Sequence, residues 1–249
     1  MELLIDADIV IFKYACVNEV EYEWDAETRS TVADPGGAKD GIDHFHRMLL
    51  EDTDTEDAIY CFSSKPCFRY DVLPSYKHNR KDKARPEMLG ALREYIEFNY
   101  RTKVKPRLEA DDVMGILGTI SPKKYIIATL DKDLKQIPGK HYRWTTRWQD
   151  ATMFDVSLEE ADRYFYKQVL MGDSTDGYGG CPQIGPKRSE KILNALEDGE
   201  YWKAIVEAYE AKDLTEEDAL VQARVARILR KEDWDFDNNK HKLWLPEGS

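Results

Sequence analysis

The sequence lacks the features of a secreted, membrane or zinc-binding protein. No run approaches the ~20 apolar residues that cross a bilayer, and the N-terminus has no basic start followed by the apolar core of a secretory signal. We therefore expect a cytosolic protein that does not associate with membranes. The four cysteines form no C-x-x-C pair and have no histidine partners at ligand spacing, which argues against a zinc site or a disulfide framework. They are predicted to be packing residues: Cys16, Cys61, Cys67 and Cys181.

Two common catalytic arrangements are also missing. The sequence contains no Ser-His-Asp arrangement and no Gly-rich loop of the kind that cradles nucleotide phosphates. Its five histidines have no ligand spacing apart from His44 and His46, which fall on one predicted helix and are interpreted as surface residues. Neither arrangement therefore competes with carboxylates for the chemistry.

Negative charge dominates the sequence but is unevenly distributed. The formal net charge is −12, which is unfavourable for gripping nucleic acid through a uniform surface. Between Lys77 and Arg107, however, ten Lys or Arg stand against four Asp or Glu, so this segment carries +6 and the remainder of the chain carries −18. A basic segment beside an acidic body suits a phosphate-binding element next to a carboxylate pocket that holds cations. Ordinary surface charge is the alternative, and composition alone does not separate the two.

Short apolar runs separated by amphipathic segments predict an α/β fold. Leu3–Ile5, Ala58–Phe62 and Tyr125–Leu130 have the length and apolar character of buried strands. Between them, apolar residues recur at helical spacing over residues 88–96 and 110–117. This alternation predicts a central, mostly parallel sheet flanked by helices.

The last third of the chain is predicted to be mainly helical. Two capping-box patterns begin helices there: Ser157 with Glu160, and Thr215 with Asp218. A boundary near residue 170 divides the chain into an α/β core, residues 1–170, and a helical region, residues 171–249. Asp34-Pro35-Gly36-Gly37 is predicted to be a surface loop.

Carboxylates follow two of the predicted strands. Asp6 and Asp8 come after the first apolar run, and Asp131 and Asp133 come after the third. In an open α/β sheet, the carboxyl ends of the strands form the edge where ligands collect. These side chains are therefore expected at the same edge.

Two further acidic segments have local explanations as well as a functional one. A predicted helix begins at Glu109-Ala110-Asp111-Asp112, and the helix dipole alone favours acids in its first turn. These carboxylates share a pocket only if the helix starts within this tetrapeptide. Asp173-Ser174-Thr175-Asp176-Gly177 has the composition of a turn. Four separate acidic segments nevertheless favour a site for hard divalent cations. Two such ions can activate a water and stabilise the leaving oxygen in phosphodiester hydrolysis.

Two basic elements suit nucleic acid. Tyr76-Lys77-His78-Asn79-Arg80-Lys81 combines an aromatic residue with cations, as in proteins that bind single strands or frayed ends. If this stretch is helical, Lys77 and Arg80 share a face and can neutralise the scissile phosphate, whereas the alternative is a solvated basic helix. Residues 181–193 form a tight turn into a helix with Pro186 near its start, whose free N–H groups can bind phosphate. A plain connection between helices is the alternative there.

Taken in order, these segments resemble the 5′ nuclease (flap endonuclease) superfamily, in its bacterial and phage branch. The resemblance lies in Leu4-Ile5-Asp6, Phe68-Arg69, Tyr76 to Arg80, Glu109 to Asp112, Asp131 to Leu134, Gly172 to Asp176 and Ile184 to Lys187. It implies metal-dependent hydrolysis of DNA at or near 5′ ends, as a 5′ to 3′ exonuclease or a flap endonuclease, in phage DNA replication or repair. It also implies two Mg²⁺ or Mn²⁺ ions with ligands among Asp6, Glu109, Asp111, Asp112, Asp131, Asp133, Asp173 and Asp176. Lys77 and Arg80 would be catalytic, and DNA would be bound by Tyr76, Lys81, Lys83, Arg85, Gly185, Lys187, Arg188 and Lys191.

The same resemblance implies the architecture and the partners. It predicts a PIN-like core with a helical arch over about residues 76–107, and a helix-hairpin-helix anchor over residues 181–193 that binds K⁺. The expected substrates are DNA with 5′ ends, flaps or gaps, and the expected state is a monomer in the host cytoplasm that works with replication proteins. One departure is visible, because many relatives have an Asp after the second strand, where this chain has Ser63 and Ser64. The metal site is therefore expected to be one ligand short.

Three other functions remain open from the sequence. Asp6-Ala7-Asp8-Ile9-Val10 resembles the nucleophile motif of haloacid dehalogenase-like phosphatases, in which Asp6 would be phosphorylated. That reading leaves residues 109–112 and 181–193 unexplained. The absent acid at Ser63 or Ser64 also allows a protein that binds branched DNA without cutting it. A PIN-like ribonuclease is the third alternative, although such chains are usually shorter.

Overall fold

Strands and helices alternate along the first two thirds of the chain, and helices dominate the remainder. The computed structural model describes residues 1–23, 29–80, 84–196 and 200–246. The strands are β1 (Glu2–Asp6), β2 (Glu19–Glu23), β3 (Arg29–Ala33), β4 (Asp57–Phe62), β5 (Thr102–Val104), β6 (Tyr125–Ala128), β7 (Gly139–Arg143), β8 (Thr152–Val156), β9 (Trp234–Asp235) and β10 (Lys240–His241). The helices are α1 (Ala7–Asn18), α2 (Pro35–Thr53), α3 (Arg69–Val72), α4 (Leu89–Asn99), α5 (Ala110–Ile120), α6 (Leu158–Met171), α7 (Pro186–Leu193), α8 (Tyr201–Glu210) and α9 (Glu216–Ala226).

The central sheet contains the strands β5-β4-β1-β6-β7-β8 in that order. Its neighbouring strands are parallel except for β8, which runs antiparallel to β7. Strand β1 lies in the middle because Leu3, Leu4 and Ile5 have no exposed surface, and parallel strands that are covered on both faces need such continuous apolar runs. The predicted α/β class with a mostly parallel sheet is confirmed. The third predicted strand ends at Ala128 rather than at Leu130.

Each face of the sheet has its own hydrophobic core. Successive residues of a strand point to opposite faces, so Leu3 and Ile5 pack on one side and Leu4 on the other. The first side is covered by α1, α2 and α4, and the second by α5. These two layers fix the carboxyl ends of β1, β4, β6 and β7 at one edge.

The segment predicted to be a helical arch belongs largely to this core. Leu92 and Ile96 of α4 have no exposed surface and pack in the same cluster as α1 and α2, and β5 pairs with β4. The arch prediction over residues 76–107 is therefore wrong for residues 89–104, because the apolar face of α4 covers the sheet. Any arch is confined to the stretch before α4, in which residues 81–83 lie outside the described part of the chain.

The segment predicted to be a surface loop at residues 34–37 instead starts α2. Asp34 is the N-cap residue and its Oδ1 accepts a hydrogen bond from the Gly37 N–H at 2.9 Å, while Pro35 occupies the first helical position. The loop prediction is wrong because Asp followed by Pro also begins helices. The prediction that Cys16 is a packing residue is also wrong, because Cys16 is exposed, whereas the other cysteines are buried.

The C-terminal third is mainly helical, as predicted, and both capping boxes are present. After α9, however, the chain returns to the α/β core, where Leu229 and Trp234 pack in the same cluster as Met114 of α5. A boundary at residue 170 therefore does not separate two independent packing units. Within the described ranges, none of the helices has the length and apolar character needed to cross a membrane.

Candidate active site

Acidic side chains from neighbouring strands meet at the carboxyl edge of the sheet. Asp6 ends β1 and caps α1, with its Oδ1 accepting a hydrogen bond from the Ile9 N–H at 3.1 Å. Asp131 follows β6 and caps a short 3₁₀ helix, with its Oδ1 accepting from the Asp133 N–H at 2.8 Å. Because Ile5 pairs with Ala128, these two caps lie on adjacent strands, as the sequence predicted.

The electrostatics show that these acids share one space with Asp111. Burial raises the pKa of Asp6, and the charges of Asp8 and Asp131 raise it further. Burial also raises the pKa of Asp111 well above its usual range, followed by the charges of Asp6 and Asp131. Within the described residues none of these three carboxylates has a salt-bridge partner, and Asp6 and Asp131 accept backbone hydrogen bonds in their helix caps.

Two more acids extend the group beyond β6. Burial raises the pKa of Asp133 to about 6, with Asp131 as the next cause and Asp173 contributing, although the Tyr164 hydroxyl donates to it at 3.2 Å. Asp173 lies in a tight loop after α6, where its Oδ1 accepts from the Thr175 N–H at 2.6 Å.

That loop depends on Gly172. Its φ is +69°, and a Cβ there would lie 2.4 Å from the backbone of Gly179. The close packing of this loop on itself is what directs Asp173 toward the acids of β6.

Glu109 and Asp176 differ from these acids because cations already compensate them. The Lys77 Nζ lies 2.6 Å from Glu109 Oε1 and 3.5 Å from Asp176 Oδ2, and Arg80 also pairs with Asp176. Burial opposes ionisation of Glu109, but Lys77 and then Arg69 lower its pKa to about 2. Lys77 and Arg80 thus converge on one site, although through a 3₁₀ turn at His78–Arg80 rather than along a regular helical face.

Tyr76 occupies the position between these two acids. It is 2% exposed, and its hydroxyl lies 2.8 Å from Glu109 Oε2 and 3.0 Å from Asp176 Oδ2. The prediction that its ring stacks on DNA is therefore wrong, because the ring is enclosed. Tyr76 instead positions the two carboxylates.

Asp112 is also corrected, from a metal ligand to a structural residue. It has no exposed surface, and the Arg69 guanidinium donates to its two oxygens at 2.6 and 2.8 Å. The backbone N–H groups of Leu229 and Glu109 donate to the same carboxylate, each at 3.1 Å. With both oxygens engaged, Asp112 joins α3, the start of α5 and the segment after α9.

Asp8 is not in the predicted ligand set, yet it borders the position where the acid is absent. Its Oδ2 accepts a hydrogen bond from the Ser63 N–H at 3.1 Å, and Ser63 Oγ in turn accepts from the Ala110 N–H at 3.0 Å. Ser63 therefore joins the end of β4 to α5, and a carboxylate from α1 stands beside it. The Asp-Ala-Asp spacing after the first strand was the sequence signal for this residue.

The donor chemistry of this edge fits hard divalent cations. The uncompensated side chains are Asp6, Asp8, Asp111, Asp131 and Asp133, all of which offer oxygen ligands. In the described ranges no three His, Cys, Asp or Glu side chains are already drawn together on a single point at ligand distance. Buried carboxylates that repel one another and lack a counter-charge are nevertheless the groups that a divalent ion stabilises.

The remaining basic residues lie at the surface. Gly185 precedes α7 and provides no side chain to cap its first N–H groups, and Pro186 takes the first helical position, as predicted. Lys187, Arg188 and Lys191 are exposed, as is Arg85. Their role in DNA binding stays a prediction, and Lys81 and Lys83 lie outside the described residues.

Comparison with known proteins agrees with this geometry. The chain is 28% identical over 292 aligned positions to the exodeoxyribonuclease of Enterobacteria phage T3, and the alignment covers 98% of this chain and 92% of the phage protein. The fold matches the bacteriophage T5 5′-exonuclease with bound zinc, at a TM-score of 0.61 and 17% identity over 91% of this chain and 93% of that one. It also matches the T5 flap endonuclease in a pseudo-enzyme–product complex with DNA and metal ions, at a TM-score of 0.58 and 17% identity over 90% and 88% of the two chains.

A family profile gives the assignment. The profile of the 5′-3′ exonuclease N-terminal resolvase-like domain matches residues 2–165, which is well over half of the 249 residues and includes β1, α5 and the strand ends that present the acids. The chain therefore belongs to the 5′-3′ exonuclease family.

Proposed function

We propose that this protein is a divalent-metal-dependent 5′ nuclease that hydrolyses DNA phosphodiester bonds at or near 5′ ends. One observation carries the proposal: buried and half-buried carboxylates without counter-charges, from β1, α5 and the segment after β6, face a common space that two cationic side chains border. A phosphatase of the haloacid dehalogenase type would take its nucleophile from the Asp6-Ala7-Asp8 motif. It would leave unexplained why the charge of Asp6 raises the pKa of Asp111 on α5.

The residues divide into two groups by charge compensation. The uncompensated Asp6, Asp111, Asp131 and Asp133 would hold the ions, with Asp8 as an additional oxygen donor next to Ser63. Asp173 would join them, since its cationic partner is the exposed Lys132 at 3.9 Å. When bound, two Mg²⁺ or Mn²⁺ ions supply an activated water and stabilisation of the leaving oxygen. Glu109 and Asp176 act differently, because Lys77, Arg80 and Tyr76 already bind them.

Lys77 and Arg80 stand where a phosphate would arrive. Their contacts with Glu109 and Asp176 hold both cations in place before DNA binds, so little reorganisation is needed when a phosphate adds its negative charge. Hydrogen bonds from fixed cations to a phosphate matter most where charge develops during the reaction. Lys77 is the better shielded of the two cations, at 17% exposed against 44% for Arg80.

The Lys77→Ala variant tests this role. We expect kcat to fall by about a hundredfold, because one fixed donor to the developing charge is lost. The Kd for DNA should change by no more than about threefold, since one phosphate contact among several disappears. Single-turnover cleavage and metal-free binding measure the two quantities separately. Lys123→Ala, which removes the same charge from the turn before β6 at the opposite edge of the sheet, should change neither; a loss confined to affinity would show that Lys77 only grips the backbone.

The activity itself is tested with 5′-labelled duplex, gapped and flapped DNA. We expect cleavage near the labelled end in Mg²⁺ or Mn²⁺ and none in excess chelator, because the uncompensated acids cannot act without the ions. The preferred substrate distinguishes exonuclease from flap endonuclease activity. Cleavage that resists chelation, or tight DNA binding with no product on any substrate, would contradict the proposal and favour a protein that only binds branched DNA.

A second part of the proposal concerns residues 181–193 and the biological setting. The uncapped start of α7, with Lys187 and Arg188 exposed beside it, suits a sequence-independent anchor on duplex phosphates, and K⁺ would bridge it to the backbone. Exchange of K⁺ for Na⁺ should then weaken binding to duplex DNA and leave binding to single strands unchanged. We place the monomeric enzyme in phage DNA replication or repair, alongside replication proteins.

A further inference from the structure

The hairpin between β7 and β8 presents an exposed tryptophan at its tip. Trp148 is 80% exposed, and the guanidinium of Arg147 lies over its ring at 4.9 Å from the centroid. An exposed indole of this size is costly in water, and none of the residues assigned to the nuclease site accounts for it.

The tip is held in a fixed conformation. The Thr146 N–H donates to the Gln149 carbonyl at 2.9 Å, which closes a tight turn with Arg147 and Trp148 as its two central residues. The Thr146 hydroxyl accepts from the Trp148 N–H at 3.2 Å, and the Thr145 hydroxyl accepts from the Ala151 N–H at 3.1 Å. The indole is therefore presented by an ordered turn, so little conformational entropy is lost when a ligand contacts it.

The base of the hairpin is anchored in the core. Trp144 is almost fully buried and packs edge-on against Phe45 of α2, with 5.0 Å between ring centroids. Trp144 therefore anchors the end of β7 from which the tip projects.

This hairpin leaves the sheet at the edge that carries the acids. Strand β7 runs parallel to β6, with Ala128 paired to Tyr142, and the Thr129 N–H donates to the Tyr142 carbonyl at 3.1 Å. The segment from Trp144 to Trp148 continues from the end of β7, and Asp131 follows the end of β6. The indole and this carboxylate therefore extend from the same edge of two adjacent parallel strands.

The charge of the hairpin suits a polyanion. Residues 143–151 contain Arg143 and Arg147 against one acid, Asp150. Arg147 is the exposed cation of the tip. An aromatic ring beside guanidinium groups is the combination that binds unpaired nucleic acid, because the ring stacks on a base and the cations bind phosphates.

We propose that Trp148 stacks on an unpaired base of a DNA strand that passes the acidic edge of the sheet, with Arg147 binding the adjoining phosphate. This inference rests on the proposed nuclease function for its substrate, but not for its measurement. It assigns to the β7–β8 hairpin the recognition of single-stranded DNA, as opposed to duplex.

Binding in chelator tests the inference without cleavage. We compare a duplex that has a single-stranded 5′ overhang with the same duplex made blunt, by fluorescence anisotropy. Trp148→Ala should weaken binding of the overhang by about 5- to 100-fold, since stacking on one base is lost, and leave the blunt duplex within twofold. Trp148→Phe should restore most of the affinity, because a phenyl ring also stacks.

A matched control removes another exposed aromatic side chain. Phe98 is 89% exposed near the end of α4, before β5 and thus at the opposite edge of the sheet, and Phe98→Ala should bind both DNAs as the wild type does. An equal loss on both DNAs for Trp148→Ala, or no loss on either, would overturn the inference. Because these measurements need no metal, their result is independent of whether the protein cuts DNA: absent cleavage with selective loss of overhang binding would reject the nuclease and keep the stacking site.

Discussion

The Asp131→Asn and Asp173→Asn variants will bind DNA at least as tightly as the wild type and will cut it at least a hundredfold more slowly. Losing a residue that merely supports a metal ligand costs about 10- to 100-fold, so losing a ligand should cost that or more. Affinity should not fall, because each change removes one negative charge close to the phosphates. Both substitutions keep a side-chain oxygen that can accept the local hydrogen bonds: Asp131 accepts from the Asp133 N–H, and Asp173 from the Thr175 N–H.

Thermal unfolding separates this mechanism from misfolding. In chelator the variants should melt no lower than the wild type, because one charge has been removed from a group that repels itself. Addition of Mg²⁺ or Mn²⁺ should stabilise the wild type more than the variants, since ions bind only to the folded site. Asp155→Asn, an equal change at an exposed position of β8, should cut and respond to metal normally.

Titration with Mg²⁺ or Mn²⁺ also tests whether Asp8 is a metal ligand. Because this carboxylate stands beside Ser63, Asp8→Asn should raise the metal concentration needed for half-maximal cleavage and for half of the thermal shift. An unchanged titration would remove Asp8 from the ligand set. Wild-type cleavage rates in both Asp131→Asn and Asp173→Asn would instead refute the assignment of the whole site.

The sheet and the meeting of Asp6 with Asp131 could be predicted because both follow from local patterns. A short apolar run identifies a buried strand, and the direction of parallel strands determines which edge receives the residues that follow. The start of α5 at Ala110 was likewise within reach, since an acid-rich first turn preceded an apolar helical face.

Other features depend on partners that are distant along the chain. Asp112 looked like a ligand beside Asp111, and its role became clear only through Arg69 and Leu229, which a local pattern cannot bring to it. Tyr76 looked like a stacking residue because aromatic and basic residues alternate there, but burial against Glu109 and Asp176 overrides that pattern. The arch prediction is too long because it follows the basic charge of residues 77–107, whereas the apolar helical spacing over residues 88–96 places α4 against the sheet.

The Arg69→Met substitution should have the largest effect on stability. The Arg69 guanidinium is buried and donates to Asp112 in a bidentate pair, to Glu109 Oε2 at 3.2 Å, and to the carbonyls of Val225 at 2.9 Å and Arg227 at 2.6 Å. Its removal leaves the Asp112 carboxylate buried without a counter-charge, which costs about 3–5 kcal/mol in comparable pairs. We expect a decrease of that size in the free energy of unfolding, measured by urea denaturation in chelator.

Further variants distinguish the buried ion pair from loss of side-chain volume. Arg101→Met breaks a half-exposed pair with Asp57 and should cost less than about 1 kcal/mol. Asp112→Asn keeps an acceptor for the Leu229 N–H but weakens the attraction to Arg69. Its loss of unfolding free energy should therefore lie between those of Arg69→Met and Arg101→Met. The Arg69→Met/Asp112→Asn double variant should lose less unfolding free energy than the sum of the two single losses. Once the guanidinium is absent, the buried Asp112 carboxylate is itself destabilising, so replacing it costs less. Additive losses, or a cost for Arg69→Met no larger than for Arg101→Met, would mean that the fold does not depend on this pair. Since Arg69 also helps to keep Glu109 ionised beside Lys77, its loss should lower cleavage even at temperatures where the variant remains folded.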